Sequence, residues 1–442
     1  MARENSNKIS TKDLILNTAF GFCSQPRLTS FSMSELAAKV GISKAAIYRH
    51  YKNKDALFEA MEDRFLQNFG ELLLRVQTVS QKNPSELPVI PFSEIITLFA
   101  RRPEYINFYI GKISSDKNFE KRFITKLEGM GVTILNNLRY DPKIQNSETE
   151  KIFFNLIQSF YCGTSIFILV KIREKLIQDK KEVPSVAEFS DKIVSFFAKG
   201  LAGQKNSDPE CKPVKISEER FQELNALCKI NVLDLPEEDR FFTALAQVIQ
   251  KYSFEGVTVE HIAEEMHLAK SSLYSHFENK DKLVSVQIRR ELCLMDTIVT
   301  ENCSEAKNVS EFIYIMLRSE FEYFMMRPSL IPICGWLLLG NPGSTFLPAE
   351  AFKEDEKEYQ LSESKDTSSF LFNFGLPISR DIFKFWISSL PFSLVAQGKE
   401  CYSMGWKEFE KALRLIIHFI NDGIESYQKY IEDNLTSVKK VN

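Results

Sequence analysis

The sequence predicts an all-α protein in which one helical arrangement occurs twice along the chain. Glycine and proline are scarce, with 17 and 16 copies among 442 residues, and this composition favours long helices over a turn-rich β fold. Apolar residues recur at helical spacing, and a nineteen-residue stretch returns later in the sequence. We therefore expect two three-helix units, each followed by a helical body, in a duplicated chain with pseudo-two-fold symmetry.

The repeat relates residues 40–58 to residues 266–284 at a constant offset of 226. Seven of the nineteen positions are identical, and most of the others are conservative replacements. An Arg-Pro pair recurs beyond the motif, at 102–103 and again at 327–328. The similarity therefore extends into the segments that follow the motif.

Composition shifts and the repeat divide the chain into five expected segments. Residues 200–217 are rich in Gly, Pro, Ser and Lys, which indicates a connection between the halves. The expected segments are a helix-turn-helix domain at 1–58, a helical body at 59–203, a linker with a short helix at 204–238, a second helix-turn-helix domain at 239–284 and a second helical body at 285–442.

The first copy of the motif has the signals of a helix-turn-helix. Ser32 and Glu35 have the spacing of a capping box at the start of one short helix. Gly41 permits the positive φ of a tight turn, and Ser43 can cap a third helix with Ile47 facing the core. In such a pair the second helix enters the DNA major groove.

The outer side of that third helix carries the candidate DNA contacts. Lys44 and Arg49 can reach phosphates or guanine edges, and Ala45 lets the helix approach closely. Lys54 starts the next helix, where a cation is favourable only if it faces an anion such as a phosphate. The candidates are Ser32, Ser43, Lys44, Ala45, Tyr48, Arg49, His50 and Lys54 in the first copy, and Thr258, Lys270, Ser271, Ser272, Tyr274, His276 and Lys280 in the second.

These residues resemble the DNA-binding domain of the tetracycline-repressor (TetR) family of regulators. The resemblance gives phosphate or base roles to five of the candidates, and it implies a ligand-receiving core, dimerisation through a four-helix bundle of late helices, and repression as the commoner mode. The residues that carry it are Ser32-Met33-x-x-Leu36-Ala37, Gly41-Ile42-Ser43-Lys44, Tyr48, His50-Tyr51 and Lys54-x-x-Leu57, with Thr258-Val259, Ile262-Ala263, Lys270, Tyr274, His276-Phe277 and Lys280-x-x-Leu283 in the second copy.

The second copy departs from that pattern in its turn and its charge. His267 replaces the turn glycine, so the turn must use a non-glycine residue, and Ala269 replaces the capping serine. Residues 14–58 hold six basic and two acidic side chains, whereas residues 240–284 hold five and six. Because phosphate neutralisation dominates affinity, we expect the first unit to bind DNA more strongly. The second is expected to be a weaker reader or to have lost DNA contact.

Helical segments are expected throughout both bodies. The late helix pairs that would form the bundle are 150–178 with 185–202 and 379–399 with 406–432. This pairing predicts an intramolecular pseudo-dimer, whose two units would read unlike half-sites. The other expected helices are 55–80, 92–112, 118–138, 281–300, 308–326, 329–339 and 350–361.

An apolar or aromatic small molecule is the expected effector, although for each candidate residue taken singly plain core packing is the favoured explanation. The candidate pocket residues are Phe108, Tyr109, Tyr161, Cys162, Tyr323 and Trp336. Double-stranded DNA is the expected partner, and further self-association of the chain stays open.

Other function classes find little support in the sequence. No phosphate loop, metalloprotease motif or serine-hydrolase motif occurs, the eight cysteines show no metal-like spacing, and no apolar run is long enough to cross a membrane. We therefore expect a cytoplasmic, nucleoid-associated bacterial protein without enzymatic activity, metal or cofactor. The alternative is an interaction scaffold in which the second unit, or both, no longer touches DNA.

Overall fold

A computed structural model of the chain gives the architecture. Every regular element in the part of the chain it describes is a helix, so the predicted all-α class is confirmed. The described residues are 10–23, 31–82, 89–115, 118–133, 147–178, 180–204, 209, 212–231, 233, 235–252, 257–269, 271–272, 280–334, 380–397 and 406–426.

The first half begins with a three-helix unit and continues into six further helices in its described residues. Its elements are α1 Thr11–Phe22, α2 Met33–Val40, α3 Lys44–His50, α4 Lys54–Lys82, α5 Val89–Arg101, α6 Pro103–Ser115, α7 Phe119–Gly129, α8 Ser147–Gln178 and α9 Val186–Lys199. The connecting segment and second half contribute α10 Glu218–Leu227, α11 Arg240–Tyr252, α12 Val259–Glu265, α13 Lys280–Cys303, α14 Val309–Met326, α15 Arg380–Gln397, α16 Trp406–Asp422 and a 3₁₀ turn Ile424–Ser426.

Two expected helices of the first body are shorter in the structure. The single helix predicted over 92–112 is wrong, because the chain breaks between α5 and α6 at Pro103. Proline lacks an N–H and disfavours a helical residue before it, so it starts α6 rather than continuing α5. The helix predicted over 118–138 ends at Gly129, followed by Gly131 at φ 91°. The expected helix at 350–361 and most of 329–339 lie outside the described residues.

The buried apolar side chains of the described residues form two cores. One core joins the first three-helix unit to α4, to α7 and to Tyr105 and Phe108 of α6. The other joins α5, α8 and α9 to the second half, including α11 and α12. Ile106 of α6 belongs to this second core, so α6 lies on the boundary between the two. The first body is thus divided, and its late helices share their interior with the other half of the chain.

The helices α8 and α9 pack directly against α15 and α16. Phe419 of α16 meets Phe154 and Tyr161 of α8, each with ring centroids 5.5 Å apart. Phe196 of α9 meets the edge of Trp386 of α15 at 5.1 Å. Such offset and edge-to-face pairs stabilise an interface beyond the apolar area they bury. Two helices from each half therefore form one aromatic seam.

The ends of α9 and α16 meet at glycines. Gly200 follows α9 at φ 57° and Gly423 follows α16 at φ 73°, a region that favours glycine. A Cβ on Gly200 would lie 2.5 Å from the carbonyl carbon of Asn421, and one on Gly423 would overlap the backbone at Ala198. The Leu201 N–H also donates to the Ile420 carbonyl at 2.8 Å. The two halves approach here backbone to backbone.

The connecting segment is docked on the second body through α10. Leu224 is fully buried, and the Phe221 ring meets Tyr314 of α14 at 4.8 Å. Arg414 of α16 donates to both carboxylate oxygens of Glu218, at 2.6 and 2.9 Å, in the bidentate geometry that makes arginine pairs strong. The helix expected inside the linker is thus part of the packed second half.

Candidate nucleic-acid interface

The second helix of the first unit begins with the expected capping box. The Ser32 hydroxyl accepts from the Glu35 N–H at 3.1 Å, and the Ser32 N–H donates to the Glu35 carboxylate at 2.6 Å. The hydrogen bond from the Ser32 backbone lowers the pKa of the Glu35 carboxyl. Met33, Leu36 and Ala37 are buried, so the cap fixes this helix on the core of the unit.

The turn and the third helix also follow the sequence prediction. Gly41 adopts φ 79° and its N–H donates to the Ala37 carbonyl at 3.0 Å. Ser43 then caps α3 by accepting from the Ala46 N–H at 3.2 Å. Ile47 is fully buried, so it anchors α3 and leaves the opposite side of this short helix facing outward.

That outward side presents the predicted contact residues. Tyr48 is 43% exposed, and the Lys44 ammonium lies 5.9 Å from the centroid of its ring. The other exposed candidates on and beside this helix are Ser32, Ser43, Ala45, Arg49 and His50. A short helix with cations and polar tips on its free face, and small residues between them, has the size and chemistry to enter a major groove.

Lys54 has a different environment from the other candidates. It begins α4 and is half-buried, with its ammonium 5.0 Å from the Phe31 ring centroid and 5.5 Å from that of Phe58. Asn53 caps the same helix by accepting from the Ala56 N–H at 2.8 Å. Cation–π contacts thus contribute to holding the Lys54 ammonium beside the start of the helix.

The second unit makes the same turn with different residues. Thr258 caps α12 by accepting from the His261 N–H at 3.2 Å, and Ile262 and Ala263 are buried. His267 occupies the turn at φ 56°, as its replacement of glycine requires. The Leu268 N–H donates to the Ala263 carbonyl at 2.8 Å, as the Ile42 N–H donates to the Ala37 carbonyl at 3.1 Å. The backbone pattern is therefore shared by both units.

Both helix-turn-helix units are similar in sequence to known proteins. Residues 28–61 and 242–285 each match the sequence profile of bacterial regulatory proteins of the tetR family. Both segments are therefore similar to the helix-turn-helix of that family. The HTH-type transcriptional regulator AcrR of Shigella flexneri is 34% identical over 85 residues, which is 19% of this chain and 40% of that relative. The chain thus spans about 40% of the length of the relative it matches.

The rest of the second TetR-type unit is described only in part. Ser271 and Ser272 are exposed, and the Ser272 N–H donates to the Ala269 carbonyl at 2.9 Å. Lys280 begins α13. The candidates Lys270, Tyr274 and His276, and the side chain of Lys280, lie outside the described residues.

One contact in the second TetR-type unit was not anticipated from the sequence. His261 occupies the repeat position of Glu35, so the capping-box carboxylate of the first unit has no counterpart here. The His261 ring instead stacks on Tyr252 of α11, with centroids 3.8 Å apart and planes 4° from parallel. The replacement of Glu35 by His261 in the repeat was visible in the sequence, but the stacking partner depends on tertiary packing.

The candidate effector residues are packed side chains in two different cores. Phe108 belongs to the first core, and Tyr109 packs against it. Tyr161, Cys162 and Tyr323 belong to the second, where burial raises the pKa of the Tyr161 hydroxyl and the Cys162 thiol. Trp336 lies outside the described residues. The structure therefore does not bring these candidates together around one cavity.

Two further features of the described residues concern membrane spans and metal ligands. No helix there is long and apolar enough to cross a membrane. No group of three or more potential metal ligands occurs in the same residues.

Proposed function

We propose that the chain is a transcriptional regulator that acts as an intramolecular pseudo-dimer, with both helix-turn-helix units reading one asymmetric operator. The aromatic seam of α8, α9, α15 and α16 carries the proposal, because it joins the late helices of both halves as a dimer interface would. The two halves differ in sequence, so the exact symmetry that matches a palindrome to a homodimer is absent.

The difference in sequence at the matched positions of the two units supports unlike half-sites. The first unit presents Lys44 and Arg49 in the order Lys-Ala-Ala-Ile-Tyr-Arg-His, whereas the second has Lys-Ser-Ser-Leu-Tyr-Ser-His. Arginine can bond both acceptors of a guanine, and serine at the corresponding position 275 offers a short, unspecific hydroxyl. The first half-site is therefore expected to hold the stronger base preference.

Repression, release by a small apolar or aromatic effector, and a cytoplasmic location belong to the same proposal. They rest on the TetR-type segments and on the aromatic-rich interiors of the bodies. The protein should then bind DNA less tightly when the effector is present than when it is absent.

In-vitro selection from a random DNA pool tests the proposal. Three proteins are compared: wild type, a Tyr274→Ala/Lys280→Ala variant, and a matched Tyr48→Ala/Lys54→Ala variant. We expect wild type to select two unlike half-sites at least about one helical turn apart, and each variant to lose the half-site of its own unit. A perfect palindrome would contradict the asymmetric reading.

The alternative is that only the first unit binds DNA and the second is structural. The acidic balance of residues 240–284 favours this alternative. In that case the second-unit variant selects the same single site as wild type with equal strength. If wild type selects no DNA sequence and shows no salt-dependent DNA binding, the chain is a scaffold. Mass in solution separates one chain from a further dimer with four units.

A further inference from the structure

An aspartate and an arginine recur at matching repeat positions but interact differently in the two halves. In the first half, Asp13 of α1 and Arg64 of α4 form an ion pair at 2.5 Å that ties the helix-turn-helix unit to the helix leading into the body. The counterparts at the offset of 226 are Asp239 and Arg290. Arg290 is exposed and makes no hydrogen bond or ion pair with any residue that the structure describes.

The start of α11 explains why the second pair is open. In the first half Ser10 caps a helix that begins at Thr11, and Asp13 lies inside it. Pro236 occupies the position of Ser10, and α11 begins only at Arg240. The Asp239 carboxylate therefore lies at the start of the helix, where it accepts from the Phe241 N–H at 2.8 Å.

A cleft of about 270 Å³ lies between this segment and α13. Glu237 and Asp239 are on one wall and Arg290 is on the other. The apolar part of the lining includes Phe242 and Leu294. Charges of opposite sign therefore line the cleft from two different elements, together with apolar side chains.

The remaining carboxylate of the cleft is already neutralised. Glu291 accepts from the Tyr323 hydroxyl at 2.7 Å and pairs with Arg327 at 3.1 Å. Like Arg290, Glu237 makes no hydrogen bond or ion pair within the described part of the chain. The charges left to recognise a ligand are thus Arg290, Glu237 and the second oxygen of Asp239.

We propose that this cleft binds a small zwitterion, an α-amino acid with an apolar side chain. Its carboxylate would pair with Arg290, its ammonium with Glu237 and Asp239, and its side chain would rest on Phe242 and Leu294. The volume lies just below the range of about 300–1,000 Å³ that is usual for ligand pockets, which restricts the ligand to this size. Arginine presents parallel donors that match a carboxylate.

A bound amino acid would connect α11 to α13 as Asp13 connects α1 to α4. The ligand would then add a second connection to a unit that the Arg327 side chain already joins to the body through the Pro236 carbonyl, whereas the ion pair of the first unit is always present. Binding itself does not depend on DNA, so it stands or falls separately from the proposed function.

Titration calorimetry on the full chain tests the site with L-leucine, L-valine, L-methionine and L-phenylalanine as probes. We expect saturable binding of at least one of them. For the tightest probe, Arg290→Gln should weaken binding about tenfold or more, the usual loss when a charged hydrogen bond is removed. Glu237→Gln should weaken it less, because Asp239 remains.

Matched controls locate the binding. Arg64→Gln breaks the corresponding pair in the first half and should leave the affinity unchanged. If L-leucine binds, 4-methylpentanoate, which lacks its ammonium, and 3-methylbutylamine, which lacks its carboxylate, should both bind more weakly. The proposal is overturned if none of the four amino acids binds, if Arg290→Gln binds as wild type does, or if the amine alone binds as tightly as L-leucine.

Discussion

The two halves of the chain match each other more closely at the seam between them than in their helix-turn-helix units. At the seam, Gly200 and Gly423 occupy equivalent helix ends, and each meets the backbone of the other half. In the units, Gly41, Ser43 and Glu35 of the first are replaced by His267, Ala269 and His261 in the second. The structure thus keeps the halves alike where they pack together and lets them differ where DNA would be read.

Backbone contact is the physical reason for this contrast. At the seam a single added methyl group would overlap main-chain atoms, which cannot move without displacing a helix. In a turn on the surface, a less suitable residue costs only local strain and a cap, each worth about 1 kcal/mol. We therefore expect substitutions at the seam to have larger effects on stability than substitutions in the units.

The largest effect is expected from Gly423→Ala. Its φ of 73° disfavours any side chain, and its Cβ would overlap the backbone of Ala198 and Lys199. The free energy of unfolding should fall by about 3 kcal/mol or more. Urea unfolding of the full chain measures it. Gly163→Ala in α8, where a Cβ meets nothing within 4 Å, is the control and should not destabilise. Equal stability of both variants would refute the close approach.

A second difference between the halves concerns a buried carboxylate. Glu320 of α14 accepts from the Ser388 hydroxyl at 2.6 Å, and burial raises its pKa from the ordinary 4.5 to about 8. Asp296 of α13 raises it further, whereas Ser388 and Lys384 of α15 lower it. Glu94 of α5, which occupies the matching repeat position, is instead partly exposed and pairs with Arg75 at 3.5 Å.

Glu320→Gln should therefore change the pH dependence of stability. The folded state keeps the Glu320 proton to higher pH than the unfolded state does, so its effect on stability becomes unfavourable as pH rises from about 4.5 to about 8. Across that window wild type should lose more than about 1 kcal/mol relative to Glu320→Gln. Urea unfolding at a series of pH values measures this loss. Parallel curves for wild type and Glu320→Gln, or the same change in Glu94→Gln, would contradict the assignment.

Local signals were sufficient to predict much of the fold. The capping box at Ser32, the glycine turn at Gly41 and the strained turn at His267 follow from residue type and spacing alone, and the structure has all three. The apolar spacing predicts the late helices, but the helix expected over 406–432 ends at Asp422, where Gly423 follows at φ 73°. Pro103 is the sequence signal for the break between α5 and α6.

Features that depend on distant packing could not be predicted. The docking of α10, the division into two cores and the stacking of His261 on Tyr252 join residues that the sequence does not relate. Asp239 and Arg290 form no ion pair because α11 begins only at Arg240 in the folded structure. Its sequence alone would suggest the same ion pair as Asp13 and Arg64, because both residues are identical in the repeat.

The smallest effect is expected in the turn of the second unit. His267→Gly removes the strain of a side chain at φ 56°, and the flexibility of glycine in the unfolded chain offsets part of that gain. We expect the opening free energy of the α12 amides, measured by hydrogen exchange, to be about 0.5 kcal/mol higher than in wild type. The reciprocal variant Gly41→Ala, at φ 79° with open space around its Cβ, should lower the protection of α2 by about 1 kcal/mol. Gly41 has open space around its Cβ, so Gly41→Ala changes backbone strain alone. If His267→Gly lowers protection instead, the imidazole makes a stabilising contact that outweighs the strain of the turn.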